Sequence, residues 1–191
     1  MDSSRLPTHR PDAGDHPPTS VSQRPALRVV LLFWVPALLI AAADVVTKEL
    51  ARRLLLPEHL PREVVGDVLR LTLLYNPGAA FGFHLGPYSR WIFTALTLAA
   101  LVVLWRLYRG TPPGERLRPL ALGLVVGGAL GNLINRLWST RGVVDFIDVG
   151  VGDHRWPTFN VADIGVSVGA LLLAWVLWRE DRDAHPEQSA A

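Results

Sequence analysis

The chain has 191 residues, half of them hydrophobic, and a mean hydropathy of +0.26, which excludes an ordinary soluble domain and makes a membrane protein the first reading. Its formal net charge is +2, and Lys48 is the only lysine among 19 basic residues; because these are scattered rather than gathered into a patch interleaved with aromatics, nucleic-acid binding is not expected. The absence of cysteine rules out a disulfide framework, a thiolate nucleophile and any Cys-based metal site.

Residues 1–25 are rich in Pro, Ser, Arg and Asp and carry almost no large apolar side chains. They cannot bury enough surface to fold alone and are read as a disordered N-terminal tail. They do not form a usual cleavable signal peptide: the first apolar run begins late and ends at Asp44, and Ala41-Ala42-Ala43 lacks the small polar flanks of a cleavage site.

Four apolar segments follow, and together they define an all-α membrane protein with four transmembrane helices and a small extracytoplasmic β-sheet. The first covers residues 27–47 and is interrupted only by Arg28 and Asp44; residues 91–105, 120–134 and 164–178 contain no charge. Each uncharged core is slightly shorter than the roughly 20 residues that span a bilayer, but tolerable flanks extend it. Gly123, Gly127 and Gly131, at spacing four in the third segment, allow another helix to approach closely. A soluble four-helix bundle is disfavoured because no segment has a polar face. The four-helix transmembrane domain is placed at 26–180, and residues 181–191 form a C-terminal tail.

Arg106, Arg109, Arg116 and Arg118 outweigh Glu115 between segments two and three, whereas Asp145, Asp148 and Asp153 balance Arg141 and Arg155 between segments three and four. The positive-inside rule therefore puts the former loop and both termini in the cytoplasm, and residues 143–163 outside. In the first outer region, 48–90, the stretch from Val64 to Tyr75 holds the period-two alternation Leu69-Arg70-Leu71-Thr72-Leu73 and runs into the turn signal Asn76-Pro77-Gly78, consistent with a small sheet on the membrane surface. Gly78-Ala79-Ala80-Phe81-Gly82 then offers a place where backbone and ligand could come close.

Residues 143–163 carry four aspartates, Asp145, Asp148, Asp153 and Asp163. Asp163 opens an uncharged run, where an unpaired carboxylate is costly. Asp145 lies in a short β-like patch that could set it opposite Asp163, and two carboxylates sharing one site push their pKa values apart. Asp44 and Lys48, like Asn132 and Arg136, are four apart on a helix face. Taken singly, Lys48 could snorkel and pair with Asp44, Asn132 and Arg136 could cap and anchor a helix, Asn76 could be a turn residue, and Asn160 could cap the fourth helix. These bland readings do not explain why all of them collect at one membrane face beside Asp145 and Asp163.

Other chemistries fall by inventory. No serine neighbours Lys48 for a Ser/Lys protease, and His9, His16, His59, His84, His154 and His185 show no zinc-ligand spacing. No phosphate loop of the Walker type is present, which leaves carboxylate chemistry. A proton-relay or transport subunit using Asp44 and Asp163 would spread its acids through the membrane depth, and a scaffold assembled on its glycine ridges would leave the acids unexplained.

Asp44-Val45-Val46-Thr47-Lys48, Asn76-Pro77-Gly78-Ala79-Ala80-Phe81, Gly131-Asn132-Leu133-Ile134-Asn135-Arg136, Val143-Val144-Asp145-Phe146 and Phe159-Asn160-Val161-Ala162-Asp163 together resemble the ordered motifs of the lipoprotein signal peptidases (signal peptidase II). The resemblance covers residues 27–178 and implies a four-helix bacterial inner-membrane aspartyl endopeptidase. Such an enzyme removes the signal peptide from diacylglyceryl-modified prolipoproteins just before the lipidated cysteine. It maps the catalytic aspartates onto Asp145 and Asp163, and supporting residues onto Asp44, Lys48, Asn76, Gly78, Asn132, Arg136 and Asn160. One aspartate would activate water while the other protonates the scissile carbonyl. No metal or cofactor is implied; the expected partners are the prolipoprotein substrates and membrane lipids, with the chain acting as a monomer. Asn135 stands where many members carry an acid, and the N-terminal tail lies beyond the family core.

Overall fold

A computed structural model describes residues 27–77 and 86–184. The expected tail, Gly78 and the small-residue stretch after it lie outside these residues. Four helices, α1 (Leu27–Leu54), α2 (Ser89–Arg109), α3 (Leu117–Trp138) and α4 (Val161–Ala184), each exceed 20 residues and are apolar enough to cross a membrane. Even the shortest, α2 with 21 residues, is about 32 Å long at 1.5 Å per residue, enough for a hydrocarbon layer of about 30 Å. The helices outrun the uncharged cores because charged residues are tolerated at their ends: α1 continues through Lys48, Glu49, Arg52 and Arg53. Likewise α4 passes the boundary expected at residue 180 and takes Asp181, Arg182 and Asp183 into its last turns.

α3 is the central helix, packed against α1, α4 and α2. Its glycines explain the closeness of those neighbours: a Cβ at Gly127 would stand 2.9 Å from Ala37 Cα, and one at Gly128 would stand 2.8 Å from Val166 Cγ2. Backbone-to-backbone packing of this kind is the usual source of helix association in lipid, where burial of apolar surface offers no net gain. Phe33, Ala37, Leu104, Tyr108, Leu122 and Val126 form the core inside the bundle, with Phe33 stacked on Tyr108 at 4.1 Å between ring centroids. Large apolar side chains such as Leu38, Leu39 and Leu171 point outward, which suits a lipid environment and no aqueous one.

The sheet covers one end of the bundle. Strands β1 (Arg62–Val65), β2 (Leu69–Asn76), β3 (Val143–Val151) and β4 (His154–Arg155) pair antiparallel in the order β1-β2-β3-β4. The alternating residues 69–73 lie in β2, and the stretch from Val64 to Tyr75 takes in the end of β1 as well. Gly66 adopts a positive φ of 46°, a conformation open to glycine at little cost, and turns the chain between β1 and β2. A register shift between Leu71 and Leu74 divides the β2–β3 ladder into two parts. Ala51 in the last turn of α1 and Leu55 just beyond it pack with Leu73, Val144 and Phe146, and this second apolar cluster fastens the sheet to the bundle.

Candidate active site

The site begins with the start of α4. Asn160 Oδ1 accepts from the Asp163 amide and Asp163 Oδ2 accepts from the Asn160 amide, both at 3.1 Å. This reciprocal capping box satisfies two otherwise unpaired groups at the helix end and fixes both side chains. Asn160 is completely buried, and its Nδ2 donates to Asp145 Oδ1 at 2.6 Å. One residue thus caps α4, orients Asp163 and holds Asp145.

Asp145 is held from its other side by Asn76, whose Nδ2 donates to Oδ2 at 3.1 Å. The pairing of Asn76 with Val143 and of Leu74 with Asp145 on adjacent strands accounts for that diagonal reach. Gly142 makes it possible for the strands to meet there: its φ is +114°, and a Cβ would strike the Asn76 carbonyl and stand 2.8 Å from Pro77 Cα.

The network continues into the bundle. Asn132 Nδ2 donates to Asp163 Oδ1 at 2.9 Å, and Asn132 Oδ1 accepts from Lys48 Nζ at 2.8 Å. Lys48 also donates to Asp44 Oδ2 at 2.7 Å, while Asp44 Oδ1 accepts from the Ala162 amide at 2.9 Å. Asp44 and Lys48 are both buried, so their pairing is a buried ion pair that ties α1 to the N-terminus of α4. Gly131 makes room for it, since a Cβ there would stand 2.5 Å from Asp44 Oδ2.

A cavity of about 320 Å³ opens over the carboxylates, lined by Asn76, Asn132, Arg136, Asp145, Asn160 and Asp163 together with Phe93, Val143, Val166, Ser167 and residues 156–159. Arg136 lies beside the Phe93 ring, 5.8 Å from its centroid, and its Nε is buried with no hydrogen-bond partner among the described residues. Burial first, and then the charge of Asp163, pushes the Asp145 carboxyl up to about 6, against the opposing hydrogen bonds from Asn160 and Asn76. Asp148 differs. Burial would raise its pKa, but Arg155, Thr72 and Arg70 together hold its carboxyl below the usual range.

Asp44, Lys48, Asn76, Asn132, Arg136, Asp145, Asn160 and Asp163 therefore meet in one place, whereas Asp148 serves the sheet and Asp153 sits exposed at the β3–β4 turn. Gly78 lies outside the described residues. Three contributors were not anticipated as such. Asn135 Oδ1 accepts from the Val144 amide at 2.6 Å, clamping β3 one residue before Asp145. Arg90 donates to the Arg136 and Leu137 carbonyls at the end of α3, satisfying acceptors that a helix terminus leaves open. Phe93 comes from α2, and its place in an apolar run carries no signal that could have singled it out. The position of Asn135 within the third motif was a signal for a role there, but not for this bond.

A family model for signal peptidase II matches residues 36–179. The chain is 40% identical over 167 residues to a lipoprotein signal peptidase of Cupriavidus taiwanensis, covering 81% of this chain and 92% of that one. It is also 40% identical over 146 residues to a lipoprotein signal peptidase of Moorella thermoacetica, covering 76% and 91%. Two solved structures of bacterial membrane enzymes share the fold. One has a TM-score of 0.69 at 28% identity, covering 78% of this chain and 88% of that chain; the other has 0.65 at 30%, covering 75% and 90%.

Proposed function

Because the chain belongs to the signal peptidase II family of aspartic peptidases and removes signal peptides from prolipoproteins, we propose that Asp145 and Asp163 are its catalytic pair and that it cuts just before a diacylglyceryl-modified cysteine. The observation that carries this reading is the double hold of Asn160, which caps α4 through Asp163 and hydrogen-bonds Asp145 beneath the cavity. Three carboxylates (Asp44, Asp145, Asp163) face two cations (Lys48, Arg136) here, leaving one negative charge uncompensated. One shared proton removes it.

Burial favours Asp145 as the seat of that proton. Ionised Asp163 takes a proton from a water that attacks the scissile carbonyl carbon, and protonated Asp145 donates to the carbonyl oxygen. The tetrahedral intermediate then collapses with a proton passing to the leaving amine. Arg136 lines the cavity beside the carboxylates, where its guanidinium would stabilise the developing oxyanion. Asp44 and Lys48 act as positioning residues through Asn132 and Ala162. The four-arginine loop supports cytoplasmic termini and a site on the outer face of the bacterial inner membrane, with the chain working as a monomer.

Acyl chains buried at about 0.8 kcal/mol per methylene hold the substrate at the depth of the carboxylates. Purified protein should therefore release the signal peptide from an inserted, lipidated precursor much faster than from the same inserted precursor without lipid. Equal rates would show that the diacylglyceryl group is not recognised, and no release from either would remove the assignment altogether.

A further inference from the structure

At the end of the bundle opposite the carboxylates, an apolar trough of about 640 Å³ runs between α1 and α3. Leu31, Leu32, Val35 and Leu39 line it along α1, Leu120 closes it from α3, and Arg28 and Arg116 stand at its mouth. Neither guanidinium has an ion pair or hydrogen bond to another described residue, and both are exposed. Each sits at the beginning of a helix, Arg28 in the first turn of α1 and Arg116 at the N-cap of α3, so the helix dipoles add to the positive potential there.

We propose that this trough binds one anionic glycerophospholipid of the surrounding leaflet, with its phosphate between Arg28 and Arg116 and an acyl chain along Val35 to Leu39. Dimensions select a lipid over a small anion. Leu39 lies eleven residues beyond Arg28 on α1, a rise of about 16 Å, close to half of a hydrocarbon layer of about 30 Å. A phosphate at the mouth and a chain reaching the midplane is the geometry of a lipid in one leaflet. Charge selects the headgroup, because two unpaired guanidiniums match a net-negative phosphodiester and gain little from a zwitterion whose ammonium brings its own cation. Arginines that merely anchor a helix at the interface would require no apolar concavity beside them.

The test is native mass spectrometry of the full chain released from nanodiscs of phosphatidylglycerol mixed with phosphatidylcholine. One phosphatidylglycerol should be retained per protein, in preference to phosphatidylcholine. Arg28→Gln with Arg116→Gln should weaken retention about thirtyfold, the effect of removing two basic residues from an anionic surface. Val35→Trp, at a half-exposed position in the middle of the trough, should abolish the stoichiometric lipid while both arginines remain. Helical circular dichroism and a single gel-filtration peak establish that each variant is folded. Retention without headgroup preference, retention unchanged in the double variant, or displacement by inorganic phosphate alone would overturn the proposal. So would retention that arises only after residues 1–23 are deleted, because the chain's own tail would then be the occupant.

Discussion

Asp145 and Asp148 lie three residues apart on β3, both are buried, and their surroundings push them in opposite directions. Asp145 receives amide donors, from Asn160 and Asn76, and faces the carboxylate of Asp163; the cations near it are engaged with Asp44 or directed into the cavity. Asp148 receives guanidiniums: Arg155 Nε donates to Oδ1 at 2.8 Å, Arg70 Nε to Oδ2 at 3.3 Å, and Thr72 adds a hydroxyl at 3.1 Å. Amides orient a carboxyl without neutralising it, so burial dominates and a proton can stay; guanidiniums neutralise it, and the charge is locked in. The register shift between Leu71 and Leu74 separates the two environments on the same ladder. A site for proton transfer and a fastening for the sheet thus differ by the partners that β2 and the α4 cap supply.

The sharpest way to break this comparison is to neutralise each acid in turn. Asp145→Asn and Asp163→Asn should each cut cleavage of a lipidated precursor by at least about a thousandfold, within the usual range for a general acid or base, while the protein remains inserted. Substantial turnover in either variant would mean that the pair is misassigned. Asn160→Ala should lower cleavage by about a hundredfold through misplacement of both carboxyls, and should cost roughly 1 kcal/mol through loss of the helix cap. If thermal unfolding in detergent reported the cap loss while turnover stayed normal, the hold on Asp145 would be shown irrelevant to chemistry. Asp148→Asn should leave cleavage unchanged and destabilise the sheet by about 1–3 kcal/mol, again read by thermal unfolding; loss of activity in a stable protein would place Asp148 in the site.

The smallest effect is the dependence of stability on pH. Asp145 has a raised folded-state pKa, so it favours folding less as pH rises from about 4, its unfolded range, through about 6. Asp148 has a depressed one, so its stabilisation is complete above about 4 and is lost as pH falls through its lower folded value. Removal of Asp145 should flatten the melting-temperature profile between about pH 4 and about pH 6, and removal of Asp148 should flatten it below about pH 4. Profiles that superimpose on wild type would contradict both assignments.

Much of this arrangement is legible in the residues alone. The spans are read from uncharged runs because charge is expensive in lipid, and the Asn160 cap is read from an asparagine set three residues before an aspartate at the start of an apolar run. The ranking of the four aspartates between 143 and 163 is not local information. Asp148 is claimed by Arg70 and Thr72, more than seventy residues earlier in the chain, and composition holds no record of that pairing. The β-like patch around Asp145 singles it out as a partner for Asp163, and the motif resemblance gives it a role, but neither tells what Asp148 binds. The short strand β1 is not legible because Val64-Val65 and Val68-Leu69 break the period-two pattern on both sides of Gly66. The bond from the Val144 amide to Asn135 requires knowing that β3 returns past the end of α3.

The central claim is that Asp145 holds a proton at a pH where Asp148 does not. Infrared difference spectroscopy of the intact, membrane-embedded protein between about pH 5 and about pH 7 measures this directly. A protonated carboxyl band should titrate with a midpoint of about 6, vanish in Asp145→Asn and persist in Asp148→Asn. A band that persists in Asp145→Asn, or no titrating carboxyl at all in the wild type, would contradict the account.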